Sequence, residues 1–508
     1  QGYSSAASDV YKRQGQGLGA NIRKAEYEKL QSYSFSNIDH FSVSSLVTRL
    51  TSDVTNIQNA VSTGMRPFGR SPVMLIFATS FAFRINSTLA LVFLVALPTL
   101  AVLLILIIIN VGPLYGRMQS AIDQVNRCIQ ENLTAIRVVK SYVRGDYEVE
   151  KFGVVNENLK SESEKAFGTA VLNVPAMQFV MYGTILGILL IGGRLINEGQ
   201  MMIGQLTSFL SYVLLILNSL MMMSNVFLLM TRSLASAERI MEVIDEKIDI
   251  TDENAKDIAV AKGEIEFDHV WFKYKDTAKE YVLSDVSFHI KPGQTVGIIG
   301  QTGSSKTTLV QLIPRLYDVT KGEVKIDGIN VKEYPVRHLR DAVAMVLQKN
   351  TLFSGSLIDN LRWGNENATL DEIKEACQIA CVDEFVDRLA DGYDTEMGQE
   401  GVNVSGGQKQ RICIARAILK KPKVLILDDS TSAVDTATEA KIRSGLAEKL
   451  PDMTKIIIAQ RISSVRHADQ IIIMDRGHVE AIGTHESLLR DNQIYQEIYA
   501  SQKEGADL

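Results

Sequence analysis

Cysteine is scarce in this sequence. Only Cys128, Cys377, Cys381 and Cys413 occur among 508 residues, and they are too few and too scattered for a disulfide framework. Cys377 and Cys381 lie four residues apart in a stretch of helical character, but the sequence near them offers no further ligands for a zinc ion. We therefore expect these two side chains to pack within a helical core.

The sequence also lacks a strong excess of charge of one sign. Lys and Arg number 53 and Asp and Glu 59, a net charge of -6 that gives no indication of a nucleic-acid partner. The first fourteen residues have no apolar core, so they do not form a signal peptide. Their string DVYKRQ resembles a translated sequencing adaptor. We expect residues 1–14 to be a scar on an N-terminally truncated chain, with a genuine disordered tail as the alternative.

Several long stretches contain no charged residue at all. Residues 85–116, 166–193 and 199–231 carry no charge, and each exceeds the roughly 20 residues that cross a bilayer as a helix. A fourth, weaker span is expected to start near Val61 and to end at Phe83. The mean hydropathy is slightly positive although 22% of the residues are charged, which fits apolar segments joined to an ordinary soluble domain.

Basic residues are distributed unevenly between the spans. The segment 117–165 carries eight Lys or Arg, whereas the gaps 84–88 and 194–200 carry one Arg each. The positive-inside rule then places 117–165 and the chain from residue 240 onward in the cytoplasm, and both short gaps outside. The polar, helical period of 117–165 further predicts that the membrane helices continue into the cytoplasm.

From about Gly263 the composition changes to strand-like runs that alternate with helical ones, as in a mixed α/β domain. The run TVGIIG predicts a buried strand, and a glycine-containing loop and an apolar helix, TLVQLIPRLY, follow it. This context is typical of a P-loop, in which backbone N–H groups and a helix N-terminus hold phosphate oxygens. The predicted nucleotide-binding residues of the loop are Gly300, Gln301, Thr302, Gly303, Ser304, Ser305, Lys306, Thr307 and Thr308.

One position of this loop departs from the usual pattern. Glycine ordinarily precedes the P-loop lysine, but here the residue is Ser305. Because serine is small, we expect the loop to close with some strain. Lys306 is expected to reach the β- and γ-phosphates and Thr307 to bind magnesium.

Further motifs resemble those of ATP-binding cassette proteins, in that family's order and spacing. VSGGQKQRICIARAI at 404–418 resembles the family's signature, VLILDD at 424–429 its Walker B strand and STSAVD at 430–435 its D-loop. Gln348 matches the Q-loop glutamine, and Tyr274 matches the aromatic residue that stacks on adenine. Fusion of the apolar spans to one such domain resembles the half-transporters of the multidrug and lipid exporter group.

The resemblance implies an incomplete type 1 exporter fold, in which an α-helical transmembrane domain precedes an α/β P-loop NTPase domain. NIDHFSVSSLVTRLTSDV at 37–54 resembles the cytoplasmic loop after the second helix, so about four of the family's six spans are expected here. The expected domains are a transmembrane domain at 15–240, a linker at 241–262, an ATP-binding domain at 263–502 and a tail at 503–508.

The resemblance also implies cofactors and a partner. In the family two ATP domains meet head to tail, and each ATP lies between one P-loop and the other subunit's signature. ATP and Mg²⁺ are therefore the implied cofactors, and a second half-transporter is the implied partner. The implied magnesium ligands are Thr307, Gln348 and Asp428. The residues implied to reach the partner's ATP are Ser405, Gly406, Gly407 and Gln408, and Asp435 belongs to the D-loop.

Two positions depart from the family's catalytic pattern. Asp429 stands where a glutamate should polarise the attacking water. Its side chain is one methylene shorter, so its carboxylate reaches roughly 1.5 Å less far, and a displacement of about 1 Å can lower a rate by about 10²-fold. Gln460 stands where the switch histidine should contact the γ-phosphate, and a glutamine cannot become a cation. Asp429, Gln460 and Gln348 are therefore expected to form a degenerate site that binds ATP but turns it over poorly.

The complete signature, in contrast, is expected to serve a competent site on a different partner chain. The expected function is ATP-driven export of a hydrophobic or amphipathic molecule, such as a drug, a lipid or a peptide, across a bacterial cell membrane. A slow homodimer and a regulatory subunit without transport of its own are the alternatives. The apolar spans argue against a soluble ATPase of DNA repair or translation, and the fusion of the two domains argues against an importer.

Overall fold

The computed structural model describes residues 2–275, 277–429 and 433–504. Contacts between residues divide the chain into two units. The first comprises the chain up to Glu26 and Thr48–Glu242, and the second comprises Tyr27–Val47 and the chain from Val243 onward. The segment 27–47, which falls within the expected transmembrane domain, therefore shares its contacts with the C-terminal part of the chain.

Residues 2–245 are helical almost throughout, as the apolar runs predict. The α-helices are α1 Gly2–Gln31, α2 Phe35–His40, α3 Val43–Thr48, α4 Val54–Asn59, α5 Met65–Ile85, α6 Ser87–Ala90, α7 Val92–Thr134, α8 Ile136–Ser141, α9 Gly145–Val171, α10 Asn173–Asn197 and α11 Ile203–Asp245, with π-helical turns at Arg49–Asp53 and Ala60–Gly64.

Two of these helices are unusually long. α7 and α11 have 43 residues each, a length of about 65 Å that is roughly twice the hydrocarbon thickness of a bilayer. Each joins a charge-free run to a polar stretch within one helix, which agrees with the prediction that membrane helices extend into the cytoplasm. Their apolar faces pack in the first unit's core, where the rings of Phe93 and Phe209 stack at 5.5 Å.

Within the described residues, two segments are long and apolar enough to cross a membrane, Gln178–Asn197 and Ile203–Met223. Both overlap predicted spans, but the boundaries differ. The charge-free run 166–193 is broken at Leu172, between α9 and α10, and α10 continues to Asn197. The predicted span at 61–83 falls in the π-helical turn Ala60–Gly64 and in α5, and the one at 85–116 falls largely in α6 and α7. Both stay predictions.

The second unit alternates strands and helices. Its strands are β1 Ile265–Phe272, β2 Leu283–Ile290, β3 Thr295–Gly300, β4 Lys321–Ile326, β5 Ile329–Asn330, β6 Val343–Val346, β7 Gly355–Ser356, β8 Glu396–Met397, β9 Val424–Asp428, β10 Thr454–Ile458, β11 Gln470–Asp475 and β12 His478–Gly483. Its α-helices after α11 are α12 Lys306–Gln311, α13 Val336–Ala342, α14 Leu357–Arg362, α15 Leu370–Ile379, α16 Asp383–Val386, α17 Gly406–Leu419, α18 Thr436–Lys449, α19 Ile462–Val465, α20 His485–Asp491 and α21 Gln493–Glu504.

A six-stranded sheet with the order β12-β11-β3-β10-β9-β6 lies at the centre of this unit. Its neighbours pair in parallel except for β11 and β12. Continuous apolar strands such as VLILD and TKIII are buried along their whole length, as parallel strands between helical layers require. A four-stranded antiparallel sheet, β2-β1-β4-β5, completes the predicted α/β domain.

The cysteines of this unit lie in its core. Cys377, Cys381 and Cys413 are buried, carry free thiols and belong to one apolar cluster with residues of α15 and α17. Burial raises the pKa of the Cys377 thiol to about 12. The prediction that Cys377 and Cys381 pack in a helical core is confirmed. One helix is shorter than predicted, because α12 ends at Gln311 and turns replace the rest of TLVQLIPRLY.

Candidate nucleotide-binding site

The predicted site residues converge because four parallel strands end at one edge of the central sheet. β3 ends at Gly300, β9 at Asp428 and β10 at Ile458, and Gln348 follows the end of β6. Ligand sites of open α/β sheets lie at this carboxyl edge. Here it holds a cleft of about 310 Å³ that is lined by Thr302, Gly303, Ser305, Lys306, Thr307, Thr308, Gln348, Asp428, Asp429, Ile458 and Gln460.

The side chain of Lys306 folds back onto the P-loop, where its ammonium group is hydrogen-bonded to the preceding residues. Its Nζ donates to the carbonyl oxygens of Gly300 and Gln301, each at 2.9 Å, and to Ser304 Oγ at 3.3 Å. Burial lowers the pKa of Lys306, although the nearby carboxylates of Asp429 and Asp428 act in the opposite direction. A half-buried ammonium group surrounded by loop carbonyls is placed to bind an anion that enters the cleft.

The loop closes with the strain that the sequence predicts. Ser305 has φ +69° and ψ +23°, in the left-handed region, and its side chain makes no capping hydrogen bond with α12. For an L-residue other than glycine, this conformation costs about 1–2 kcal/mol. Gly300 is required for a different reason, since a Cβ atom there would lie 2.2 Å from the carbonyl oxygen of Met474.

Asp428 is 1% exposed and keeps one carboxylate oxygen for a ligand. Its Oδ1 accepts a hydrogen bond from Thr307 Oγ1 at 3.1 Å, and its buried Oδ2 has no hydrogen-bond partner within the part of the chain that the structure describes. Burial raises the pKa of Asp428, and the charge of Asp429 raises it further. A buried carboxylate oxygen beside a threonine hydroxyl fits the oxygen ligands that Mg²⁺ prefers.

The three residues predicted for catalysis meet at one carboxylate oxygen. Gln460 Nε2 donates to Asp429 Oδ2 at 2.7 Å, and Gln348 Nε2 donates to the same oxygen at 3.5 Å. Gln348 was expected beside Asp428 as a metal ligand. Gln348 lines the same cleft as Asp428, and only its amide nitrogen contacts Asp429, so its role as a metal ligand stays a prediction. Asp429 has φ +46°, a conformation that aspartate tolerates better than most residues.

Tyr274 is not among the described residues that line the cleft, but it is hydrogen-bonded to the P-loop. Its hydroxyl shares a hydrogen bond of 2.8 Å with Thr308 Oγ1, and the residue as a whole is 44% exposed. The ring edges of Phe272 and Tyr317 pack against it at centroid distances of 4.9 and 5.1 Å. The exposed part of the ring is available for the predicted stacking on a base.

The signature residues form a helix start. Ser405 Oγ accepts from the backbone N–H of Gln408 at 3.3 Å, and Gln408 Oε1 accepts from the N–H of Ser405 at 2.8 Å, so the two residues cap α17 reciprocally. A Cβ atom at Gly407 would lie 2.7 Å from the carbonyl oxygen of Ala433, whereas one at Gly406 would meet nothing closer than 3.7 Å. None of these four residues is among the described residues that line the cleft.

Asp435, assigned to the D-loop, has a local role in this chain. Its Oδ1 accepts from the backbone N–H of Thr438 at 3.0 Å, which caps α18. This hydrogen bond holds the pKa of Asp435 below its usual value.

Some residues around the site carry no sequence signal. Ile458 lines the cleft. The ring of Tyr317 packs against Tyr274, and its hydroxyl donates a hydrogen bond of 2.7 Å to Asp39 Oδ2. The side chain of Gln502 donates a hydrogen bond to the backbone carbonyl of Gln460. No motif names them, because their contacts join segments that are distant in the sequence.

Comparisons with known proteins agree with this geometry. Two family models match the chain, "ABC transporter transmembrane region" over residues 4–220 and "ABC transporter" over residues 283–432. The uncharacterized ABC transporter ATP-binding protein YfiB of Bacillus subtilis is 40% identical over 97% of this chain and 86% of its own length. The ATP-dependent lipid A-core flippase of Desulfotalea psychrophila is 32% identical over 97% of this chain and 86% of its own length.

A solved structure is similar over nearly the whole chain. It is that of a bacterial Atm1-family ABC exporter with ATP bound, with a TM-score of 0.85 and 25% identity, and the match covers 98% of this chain and 88% of that one. Helical membrane segments that precede an α/β domain with a P-loop cleft define an exporter whose ATPase is coupled to transport. The chain belongs to the ATP-binding cassette (ABC) transporter family.

Proposed function

We propose that this chain is one half of a heterodimeric exporter, and that its own P-loop site binds ATP but hydrolyses it weakly. The observation that carries the proposal is the pair of amide groups, from Gln460 and Gln348, that donate to Asp429 Oδ2. In a hydrolytic site this carboxylate should accept a hydrogen bond from the attacking water.

The binding part of this site has the groups that phosphate recognition needs. Lys306 supplies a cation within the loop, and the first turn of α12 supplies backbone N–H groups. Thr307 Oγ1 and Asp428 Oδ2, which has no partner among the described residues, would hold Mg²⁺, which would neutralise phosphate charge when bound. Tyr274 has an exposed ring for the base. These features support ATP binding by this chain.

The residues proposed for hydrolysis are less suited to their role than those proposed for binding. Asp429 is one methylene shorter than glutamate, and Gln460 and Gln348 already occupy its Oδ2. Gln460 remains neutral at every pH at which the protein is folded, so it cannot supply a positive charge as phosphate charge develops. A positioned base contributes about 10²- to 10⁴-fold to rate, so a carboxylate held out of position leaves a slow site.

The signature supports a second, faster site. Ser405 to Gln408 retain the family pattern, and the exposed Ser405 and Gly406 begin a regular helix. Such a helix start presents backbone N–H groups to an anion. Two copies of this chain would make two slow sites, so a different partner with its own intact catalytic residues fits better.

The proposed cargo is a hydrophobic or amphipathic molecule, and the proposed location is the cell membrane of a bacterium. The similarity to a lipid A-core flippase supports a lipid-like cargo. The charge-free segments of α10 and α11 would face membrane lipid or the cargo.

The experiment is steady-state phosphate release at saturating ATP by the complex that copurifies with the tagged full chain. Asp429→Asn, which keeps the shape of the side chain, should change the total rate by less than about twofold because the other site supplies most turnover. Mass analysis of the same complex should find a second, different half-transporter. A near-complete loss of activity in Asp429→Asn, or a complex of two identical chains, would contradict the proposal.

A further inference from the structure

The segment after β10 is held from a distant part of the chain. Gln460 follows the end of β10 at Ile458 and reaches into the cleft, where its amide nitrogen contacts Asp429. Where this side chain lies depends on the backbone of 460–462. Ile462 is buried in the core, but Gln460 and Arg461 before it are exposed and would be free to move unless a further constraint fixes their backbone.

Gln502 supplies that constraint. Its Nε2 donates to the carbonyl oxygen of Gln460 at 2.7 Å, and its Oε1 accepts from the backbone N–H of Ile462 at 2.8 Å. One side-chain amide therefore uses both its donor and its acceptor on the two sides of Arg461. The contact spans 42 residues of sequence.

The helix that carries Gln502 is itself firmly anchored. In α21, Tyr495 is fully buried, and its hydroxyl shares a hydrogen bond of 2.7 Å with His485 Nδ1. Its backbone N–H donates to Asn492 Oδ1 at 2.8 Å, and Ile494, Ile498 and Tyr499 pack against the main core cluster. The position of Gln502 is thus set by the core of the domain and not by the cleft.

We propose that Gln502 is a positioning residue of the ATP site, which holds the backbone of 460–462 so that the Gln460 side chain stays beside Asp429. Gln502 acts through main-chain groups, so the effect does not depend on which side chain occupies position 460. This inference rests on the proposed ATP site, because it assumes that nucleotide binds in the cleft that Gln460 lines.

Loss of the Gln502 contacts is expected to affect the binding of ATP, which has a third phosphate, more than the binding of ADP. Gln460 lies beside Asp429, the carboxylate expected to face the attacking water, so in the proposed site it is placed near the terminal phosphate, whereas the N–H groups of the P-loop also hold the phosphates that ADP has. Loosening the 460–462 segment should therefore weaken ATP binding and leave ADP binding unchanged. A general loss of stability would lower both affinities together.

The test measures the dissociation constants of ATP and ADP, each with Mg²⁺, for the purified full chain. Gln502→Ala should weaken ATP binding by about fivefold, the effect of one or two lost hydrogen bonds, and should leave ADP binding within error. Gln502→Glu keeps the size and the acceptor but loses the donor to the Gln460 carbonyl. It should show a similar loss of ATP selectivity, which separates hydrogen bonding from packing.

Gln496 provides a matched control on the same helix. Its Nε2 also donates to two carbonyl oxygens, those of Leu489 at 2.8 Å and Arg490 at 3.1 Å, but these lie at the end of α20 and not at the cleft. Gln496→Ala should leave the ratio of ATP to ADP affinity unchanged. An equal shift in this ratio for Gln496→Ala, or no shift for Gln502→Ala, would overturn the inference.

Lys306→Ala separates this inference from the assignment of the site. If Lys306→Ala leaves nucleotide binding intact, the cleft is not the ATP site and the proposed function fails. If Lys306→Ala removes binding while Gln502→Ala retains the wild-type selectivity, only the role of Gln502 is wrong.

Discussion

The P-loop cleft and the signature helix differ in how closely they keep to the family pattern. The cleft departs from it at three positions, with a left-handed Ser305, a short Asp429 and a neutral Gln460. The signature helix departs at none, and Ser405 and Gln408 cap it in a regular way. Both regions belong to the same α/β unit, so a general loss of function in this domain does not explain the difference.

The departures fall on particular steps of the chemistry. Groups proposed to bind phosphate and metal, such as Lys306, Thr307 and Asp428, are present and in contact with one another or with the loop. The altered groups are those proposed to act on the attacking water or the terminal phosphate, Asp429 and Gln460. A chain that kept ATP binding and a working signature, but gave up its own hydrolysis, would have this distribution. Three predictions, each with its own variants, test this comparison.

The largest effect is expected from the signature. Gly406→Asp should lower the ATPase rate of the copurified complex by about 10²-fold or more, because a carboxylate at the start of α17 repels the partner site's γ-phosphate. The position has room for a side chain, since an added Cβ atom meets nothing closer than 3.7 Å. An acidic residue in the first turn also stabilises a helix, so the variant should fold normally. Steady-state phosphate release provides the measurement.

Gly407→Asp extends this test, but it combines the added charge with a steric clash. It should abolish most activity as well, yet its Cβ atom would lie 2.7 Å from the Ala433 carbonyl oxygen and disturb the local backbone. Gly406→Ala, which adds a Cβ atom without charge, is the control and should lose far less activity than Gly406→Asp. If Gly406→Asp retained the wild-type rate, the signature would not serve the productive site and the comparison would be reversed.

An intermediate effect is expected at the P-loop. Lys306→Ala should weaken binding of ATP to this chain by about tenfold to a hundredfold, because a charged group within the loop is removed. Photolabelling of this subunit by an azido-ATP analogue measures the effect. Lys441→Ala removes an exposed lysine that pairs with Glu384 at 2.7 Å, and it should label normally. Equal labelling of the two variants would show that Lys306 does not bind nucleotide.

Much of this arrangement could be predicted from short segments of sequence. TVGIIG followed by the glycine loop gave β3 and α12, and VLILDD gave β9 with Asp428 at its end, since strand periodicity and loop chemistry are local properties. Parallel strands then bring Gln348, Asp428 and Gln460 to one edge. The order of the motifs therefore predicted both the fold and most of the cleft.

Contacts between distant segments could not be predicted in this way. The hydrogen bond from Gln460 to Asp429 joins the ends of two strands, and the one from Gln502 joins α21 to the turn after β10. Neither glutamine lies in a pattern that specifies its partner, because a side-chain amide can bond to almost any polar group. The same reason explains why the contact of the Gln348 amide nitrogen with Asp429 could not be predicted. Only the packed tertiary structure selects among such partners.

The smallest effect is expected from Ser305→Gly, which restores the usual P-loop glycine. Relief of the left-handed conformation contributes about 1–2 kcal/mol, and the extra freedom of glycine in the unfolded chain offsets about 0.5–1 kcal/mol of it. The net gain of about 0.5–1 kcal/mol should raise the thermal unfolding midpoint of the purified full chain by about 1–3 °C. Ser305→Ala keeps the Cβ atom and should give no gain, while Ser304→Gly, which removes a hydroxyl bonded to Lys306, should lower the midpoint. A lower midpoint for Ser305→Gly would mean that the serine is not strained, and that only the departures at Asp429 and Gln460 have a cost for the cleft.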